Sequence, residues 1–203
     1  MLSLTYCCHK LSKIYSGALR RVKSNCSGWG SLHENRKAGC KLETTYLHLD
    51  EPVKGEFEWT DSESKGRDSA SDNFPNSEGI AFHDGKLSFV SKTKKKMWTL
   101  NLDTMTYTVE QTGLKFRGKG SFNGQPDQVG DQKDSNYMYF TEEGNIPGVY
   151  ARHDNDGHYY TLVETVKGVG RNGDETGKFH LPCITSLLCS DYVLQRFSHQ
   201  SLG

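Results

Sequence analysis

Three acids recur at nearly one interval along the chain. Glu78 lies in "FPNSEGIAF", Asp127 in "GQPDQV" and Glu175 in "GDETG", at spacings of 49 and 48 residues. One interval further back, "WGSLHEN" carries His33 and Glu34, the latter 44 residues ahead of Glu78. Carboxylates brought together repel one another, and the ordinary remedy is a bound cation or a shared proton. Oxygen ligands alone favour calcium or another hard ion, whereas a histidine in the set also suits iron or zinc. The bland alternative is that each acid caps the turn before a strand and that His33 is a structural strand histidine. The elements that carry the acids decide how much the spacing means.

Those elements repeat. "LSFVSK" matches "MYFTEE", setting Phe89 against Phe140, and "MWTLNLDTMTYTVE" matches "VYARHDNDGHYYTLVE", setting Trp98 against Tyr150 and Glu110 against Glu164. Turn signals at His83-Asp84-Gly85, Asp103-Thr104 and Asp154-Asn155-Asp156-Gly157 cut the copies into short runs. Strands are predicted near 79–83, 86–92, 95–102 and 105–111, with a second set between about 127 and 164. A four-stranded antiparallel unit with a period near 50 is the mark of a β-propeller blade, which buries its faces only by stacking on neighbours. The expected fold class is all-β: a partial β-propeller of about three four-stranded antiparallel blades with irregular N- and C-terminal ends. A sandwich would supply similar strands but has no need of the repeat. In a propeller the first strand of each blade lines the central channel, so acids that open three such strands meet at one mouth.

Around this core the chain divides by composition. Residues 1–24 read as a tail or short helix, 25–177 as the partial β-propeller and 178–203 as an irregular C-terminal segment. The early part of the propeller contains "GWGSLHE", "CKLETTYLHLD" and "EFEWTD" as strand candidates, followed by "DSESKGRDSASDN" over 61–73, whose Ser/Asp richness predicts a surface loop. After Gly177 the expected blade strand gives way to "KFHLPCITSLLCSDYVLQRFSHQSLG", which reads like translation past a missed splice or frame boundary, a gene-model artefact.

Composition narrows the function classes. Formal net charge is zero, so no basic face argues for nucleic acid. The lysines at 92, 94, 95 and 96 fall on a strand-to-strand turn and read as a solvated hairpin. No run of 18 apolar residues argues for a membrane span. The N-terminal stretch has its apolar patch ahead of its basic residues, the wrong order for a secretory signal, so either the protein is intracellular or its true start is missing. Six cysteines lie in the two end regions without a C-x-x-C pairing, which leaves the redox compartment open. Asn25-Cys26-Ser27 satisfies the glycosylation pattern, which matters only in a secreted chain. Ser77 beside Glu78 reads as a turn former, and no serine or cysteine stands out as a nucleophile. "KGVGRNGDETG" is glycine-rich but leads into no helix, so it reads as an inter-blade connection instead of a phosphate cradle.

At the quoted motifs the chain resembles the PhoX-type alkaline phosphatase family of β-propellers, over roughly residues 25–177. The resemblance implies a calcium and iron cluster at the channel mouth and phosphomonoester hydrolysis by metal-bound oxygen chemistry. Glu78 and Glu175 match the family's metal-binding glutamates, and Asp127 matches the Pro-Asp motif position. "NCSGWGSLHEN" looks like a shortened form of the segment in which the family places an iron-binding cysteine, with His33 the residue nearest that position and Glu34 beside it. The expectation is therefore a fragment of a metal-dependent phosphoric-ester hydrolase with Ca²⁺, and secondarily Fe, acting on a small phosphoester, with little activity in this chain. The alternatives are a calcium-dependent lactonase-like propeller, set back by the Pro126-Asp127-Gln128 sequence where an Asn-Gly turn is usual, and a non-catalytic propeller that binds a partner.

Overall fold

The computed structural model describes residues 3–8, 17–25, 39–132, 135–142 and 146–164. Among them run twelve strands and one helix. The strands are β1 (Ser3–Cys8), β2 (Leu19–Ser24), β3 (Leu42–Leu49), β4 (Lys54–Thr60), β5 (Ser77–His83), β6 (Lys86–Ser91), β7 (Lys96–Asn101) and β8 (Thr106–Gln111). β9 (Pro126–Asp131), β10 (Tyr137–Glu142), β11 (Gly148–His153) and β12 (Tyr159–Glu164) complete the set, and α1 (Glu63–Asn73) lies between β4 and β5. The mostly β, antiparallel architecture agrees with the expected class.

Two four-stranded meanders, β5–β8 and β9–β12, fall where the repeat predicts them. Phe89 stands opposite Ile80 and Trp98 in the first, and Phe140 opposite Val129 and Tyr150 in the second, so the aromatic equivalences hold in register. One alignment shifts by a residue. Glu164 pairs with Gly148, whereas Glu110 pairs with Met97, because a bulge between Val149 and Tyr150 displaces β12.

The first meander is the middle layer. Strand alternation sends Leu87 and Phe89 of β6, with Trp98 and Leu100 of β7, into a core shared with Leu47, Leu49, Phe57, Ala70 and Phe74. Their intervening neighbours Val90 and Met97 enter a second core with Phe122, Val129, Phe140, Tyr150 and Tyr159. That division explains why five consecutive residues of β6, Leu87 to Ser91, are all buried. Trp98 is fully buried, stacked on Phe89 with ring centroids 5.5 Å apart and meeting Phe74 edge-on at 6.0 Å.

The N-terminal strands do not form a separate sheet. β1 to β4 make an antiparallel meander, but β4 is shared: Phe57–Thr60 pair with β3, while Lys54–Glu56 pair with the edge of β8. The result is one eight-stranded sheet, β1-β2-β3-β4-β8-β7-β6-β5, beside the four-stranded sheet β12-β11-β10-β9. Two expectations are corrected here. The segment 1–24, read as a tail or short helix, contains β1 and β2 paired over Ser3–Cys8 and Leu19–Ser24. Residues 61–73, read as a surface loop, contain α1.

The helix has no apolar stripe to betray it. Its start is capped by Ser62, whose side chain accepts from Lys65 N, and Glu63 in the first turn binds Arg67 at 2.7 Å one turn on. Small residues then allow close docking: a Cβ on Gly66 would lie 2.4 Å from Tyr46 Cβ, and Ser69 Oγ accepts from Leu49 N at 3.0 Å. A Ser/Gly/Ala face looks like loop composition, yet it is what lets the helix backbone lie against β3. The segment 178–203 lies outside the described residues. No helix among the described residues is long and apolar enough to cross a membrane.

Candidate functional site

Both described meanders break their ladder at the same place. In β5, Ser77 pairs with Ser91 and Ile80 with Phe89, so Glu78 and Gly79 together face the single Val90. In β9, Pro126 pairs with Glu142 and Gln128 with Thr141, leaving Asp127 as the extra residue. A bulge of this kind re-aims a side chain and sharpens the local twist. Glu78 and Asp127 thus occupy equivalent bulged positions at the starts of the first strands of their units. The two strands also touch through their backbones, since a Cβ built on Gly79 would lie 2.3 Å from Val129 N and 2.6 Å from Gln128 Cα. Glycine follows the acid because no side chain fits between β5 and β9.

Asp127 is buried and already holds a cation: Lys92 Nζ lies 2.6 Å from its Oδ1, with the Asp127 side chain only 7% exposed. Lys92 sits just past β6, its own N–H donating to Asn76 O at 3.3 Å. Three residues on, Lys95 has φ of 53° and donates Nζ to Asn123 O at 3.0 Å. The basic cluster is therefore in part a clasp on the second meander, a correction to its reading as a solvated hairpin.

Behind Asp127 lies Glu142, 1% exposed, which accepts backbone N–H bonds from Asn123 at 2.7 Å and from Gln125. Its counterpart in the first meander is Ser91, which donates Oγ to the Pro75 carbonyl. Each unit thus uses the last residue of its second strand to hold the segment that leads into its first. Burial raises the Glu142 carboxyl above its ordinary range, opposed by the two N–H donors and reinforced by Asp127. A carboxyl whose folded pKa lies above its unfolded one binds its proton more tightly when folded, so its contribution is fully present in acid and lost as pH rises through the folded value. Unfolding by urea across pH should show this: wild type is expected to lose stability relative to Glu142→Gln as pH rises above the usual carboxylate range. A constant difference at every pH would refute the assignment.

The far ends of β5 and β9 carry a different set. His83 Nδ1 is 2.8 Å from Asp131 Oδ2, and its Nε2 is 3.2 Å from Asp84 Oδ2. Burial raises Asp131, and His83 opposes the shift. Between the meanders, Arg152 binds Glu110 through Nε at 2.6 Å and Nη2 at 2.7 Å, and Tyr159 OH donates to the same carboxylate at 2.9 Å. In the β11–β12 turn, Asp156 faces His153 and His158 at 3.2 and 3.1 Å, and bonds from the His158 backbone and ring, with one from His153, hold its carboxyl far below the ordinary range. A shallow depression of about 290 Å³ on the outer face of the second sheet is lined by Tyr137, Tyr139, Ala151, Tyr160 and Leu162.

Of the five residues singled out as metal ligands, Glu78 and Asp127 are brought to equivalent sites, while His33, Glu34 and Glu175 lie outside the described residues. Among the described residues no group of three or more His, Cys, Asp and Glu side chains is arranged to hold a metal ion. The described donors do not by themselves fit the calcium and iron that the resemblance implies, because the ammonium of Lys92 stands on the Asp127 carboxylate. Sequence reasoning missed Lys92 and Glu142. The usable signal for Lys92 was a lysine just past a second strand when the next unit opens with a buried acid; Glu142 had its repeat position, matched to Ser91. No protein-family profile matches the chain, and no curated protein matches it.

Proposed function

We propose that the chain is a fragment of a metal-dependent phosphoric-ester hydrolase of β-propeller type, with little activity of its own. The observation that carries this reading is the placement of Glu78 and Asp127 at equivalent bulges on adjoining first strands, which supports a row of carboxylates at one mouth. In the complete site, Glu78, Asp127 and Glu175, with Glu34 and His33, would hold a hard cation that polarises a phosphoryl oxygen. The Lys92–Asp127 pair would keep that activity low, because a cation must displace an ammonium that already neutralises one ligand.

The same pair favours a second reading, a non-catalytic propeller-like module in which Lys92 serves the fold. Calorimetry with Ca²⁺, beside a phosphomonoesterase assay, separates the two. On the hydrolase reading wild type binds weakly, Glu78→Gln binds less and Lys92→Met binds roughly tenfold more tightly, as removing one unit charge close to a site does. Equal affinity in all three, or none, leaves the non-catalytic module.

A further inference from the structure

Asn25 stands one step past the end of β2, exposed to solvent. Its backbone N–H donates to Lys41 O at 3.2 Å, and its side-chain Oδ1 accepts from Lys41 N at 2.7 Å, so both bonds extend the β2–β3 ladder beyond the Ser24–Leu42 pair. The side chain is held through its oxygen, and the bond makes no use of the amide nitrogen Nδ2. Asn25 also opens the triplet Asn25-Cys26-Ser27, which meets the requirement for N-linked glycosylation. The second observation is covalent. Cys40, next to Lys41, is disulfide-bonded, and stable disulfides belong to oxidising compartments and the cell exterior. That is where the glycosylation pattern has meaning.

We propose that Asn25 is an N-glycosylation site and that the chain matures in a secretory compartment. The chemistry balances without a redox step: Nδ2 forms a bond to C1 of a sugar carried on a lipid pyrophosphate, the C1–O bond breaks, one amide proton is lost and the lipid pyrophosphate leaves. The modified residue keeps Oδ1 for Lys41 N, so the sugar is compatible with the folded ladder. Its place at a strand end, on exposed backbone, lets the glycan extend into solvent without displacing a core residue.

The test is made on the full chain isolated from the cells that produce it. Peptide N-glycosidase treatment is expected to increase gel mobility and to leave aspartate in place of Asn25 in the corresponding peptide. Asn25→Gln and Ser27→Ala should each abolish the shift, while Ser27→Thr should retain it; because Ser27→Ala leaves Asn25 and its Lys41 bonds intact, a folding defect cannot imitate the result. Alkylation without reductant should leave Cys40 unlabelled. An unmodified Asn25 peptide, a shift that survives Ser27→Ala, or a Cys40 that alkylates without reductant would overturn the proposal.

Discussion

Gly79→Ala is expected to destabilise the protein by about 3 kcal/mol, the upper part of the range for overpacked sites. The added Cβ would lie 2.3 Å from Val129 N and 2.6 Å from Gln128 Cα. Both atoms belong to the β9 backbone, which cannot rotate aside as a flexible side chain would. The strain must be relieved by separating β5 from β9, which opens the core formed by Val90, Met97, Phe140 and Tyr150. Thermal unfolding should report a midpoint lower by roughly 6–12 °C. The same separation moves the bulge that carries Glu78 away from the one that carries Asp127, so any Ca²⁺ affinity should fall with the stability. An unchanged melting temperature would show that the two strands are less closely packed than described.

Glu110→Ala is expected to cost about 2 kcal/mol, between the scales for an exposed and for a buried ion pair, because the Glu110 side chain is 35% exposed while that of Arg152 is 14% exposed. Among the described residues, Arg152 would keep as its carboxylate partner the more exposed Asp154 at 3.2 Å. Burial alone would depress the Arg152 guanidinium, and the Glu110 carboxylate more than offsets it. Tyr159 would lose its acceptor as well, and burial followed by Glu110 is what raises its hydroxyl. Replacing Glu110 and Arg152 together with leucine and methionine should recover much of the loss, because apolar side chains of similar volume leave no stranded charge. Denaturant midpoints of the single and double variants measure this; a double variant as unstable as the sum of the singles would mean that the pair does not act as a unit.

What was legible in the sequence follows from which physics is local. β5 to β8 sit within two residues of their predicted limits, because each turn carries its own signal and each strand its own alternation. The equivalence of Phe89 with Phe140 and Trp98 with Tyr150 was legible because aromatic side chains at a fixed step of a repeat meet the same core. α1 was not legible, since its docking depends on small residues whose value appears only once Tyr46 and Leu49 lie beneath them. β1 and β2 were hidden for a related reason: neither has a clean period, and their strand character comes from pairing with each other and with β3. At the candidate site, the spacing located two acids at matching bulges but gave no sign that a lysine from the neighbouring unit would stand on one of them. That contact joins residues 35 positions apart, and no single-window pattern contains it.

The division of β4 between two partners has a consequence for how the chain assembles. Within β5–β8 and β9–β12 every strand pairs with its sequence neighbour, so closing a hairpin orders only a short loop. The pairing of Lys54–Glu56 with Thr106–Thr108 instead closes a loop of about fifty residues, and its entropic cost falls due before any of its contacts form. The β5–β8 meander is therefore expected to form first and offer its β8 edge as template, with the first half of β4 docking afterwards. Substitutions at Lys54–Glu56 that speed unfolding while leaving the refolding rate unchanged would bear this out, and slowed refolding would refute it. Folding rate should then be governed by the local hairpins, while the late β4–β8 seam controls how fast the native chain comes apart.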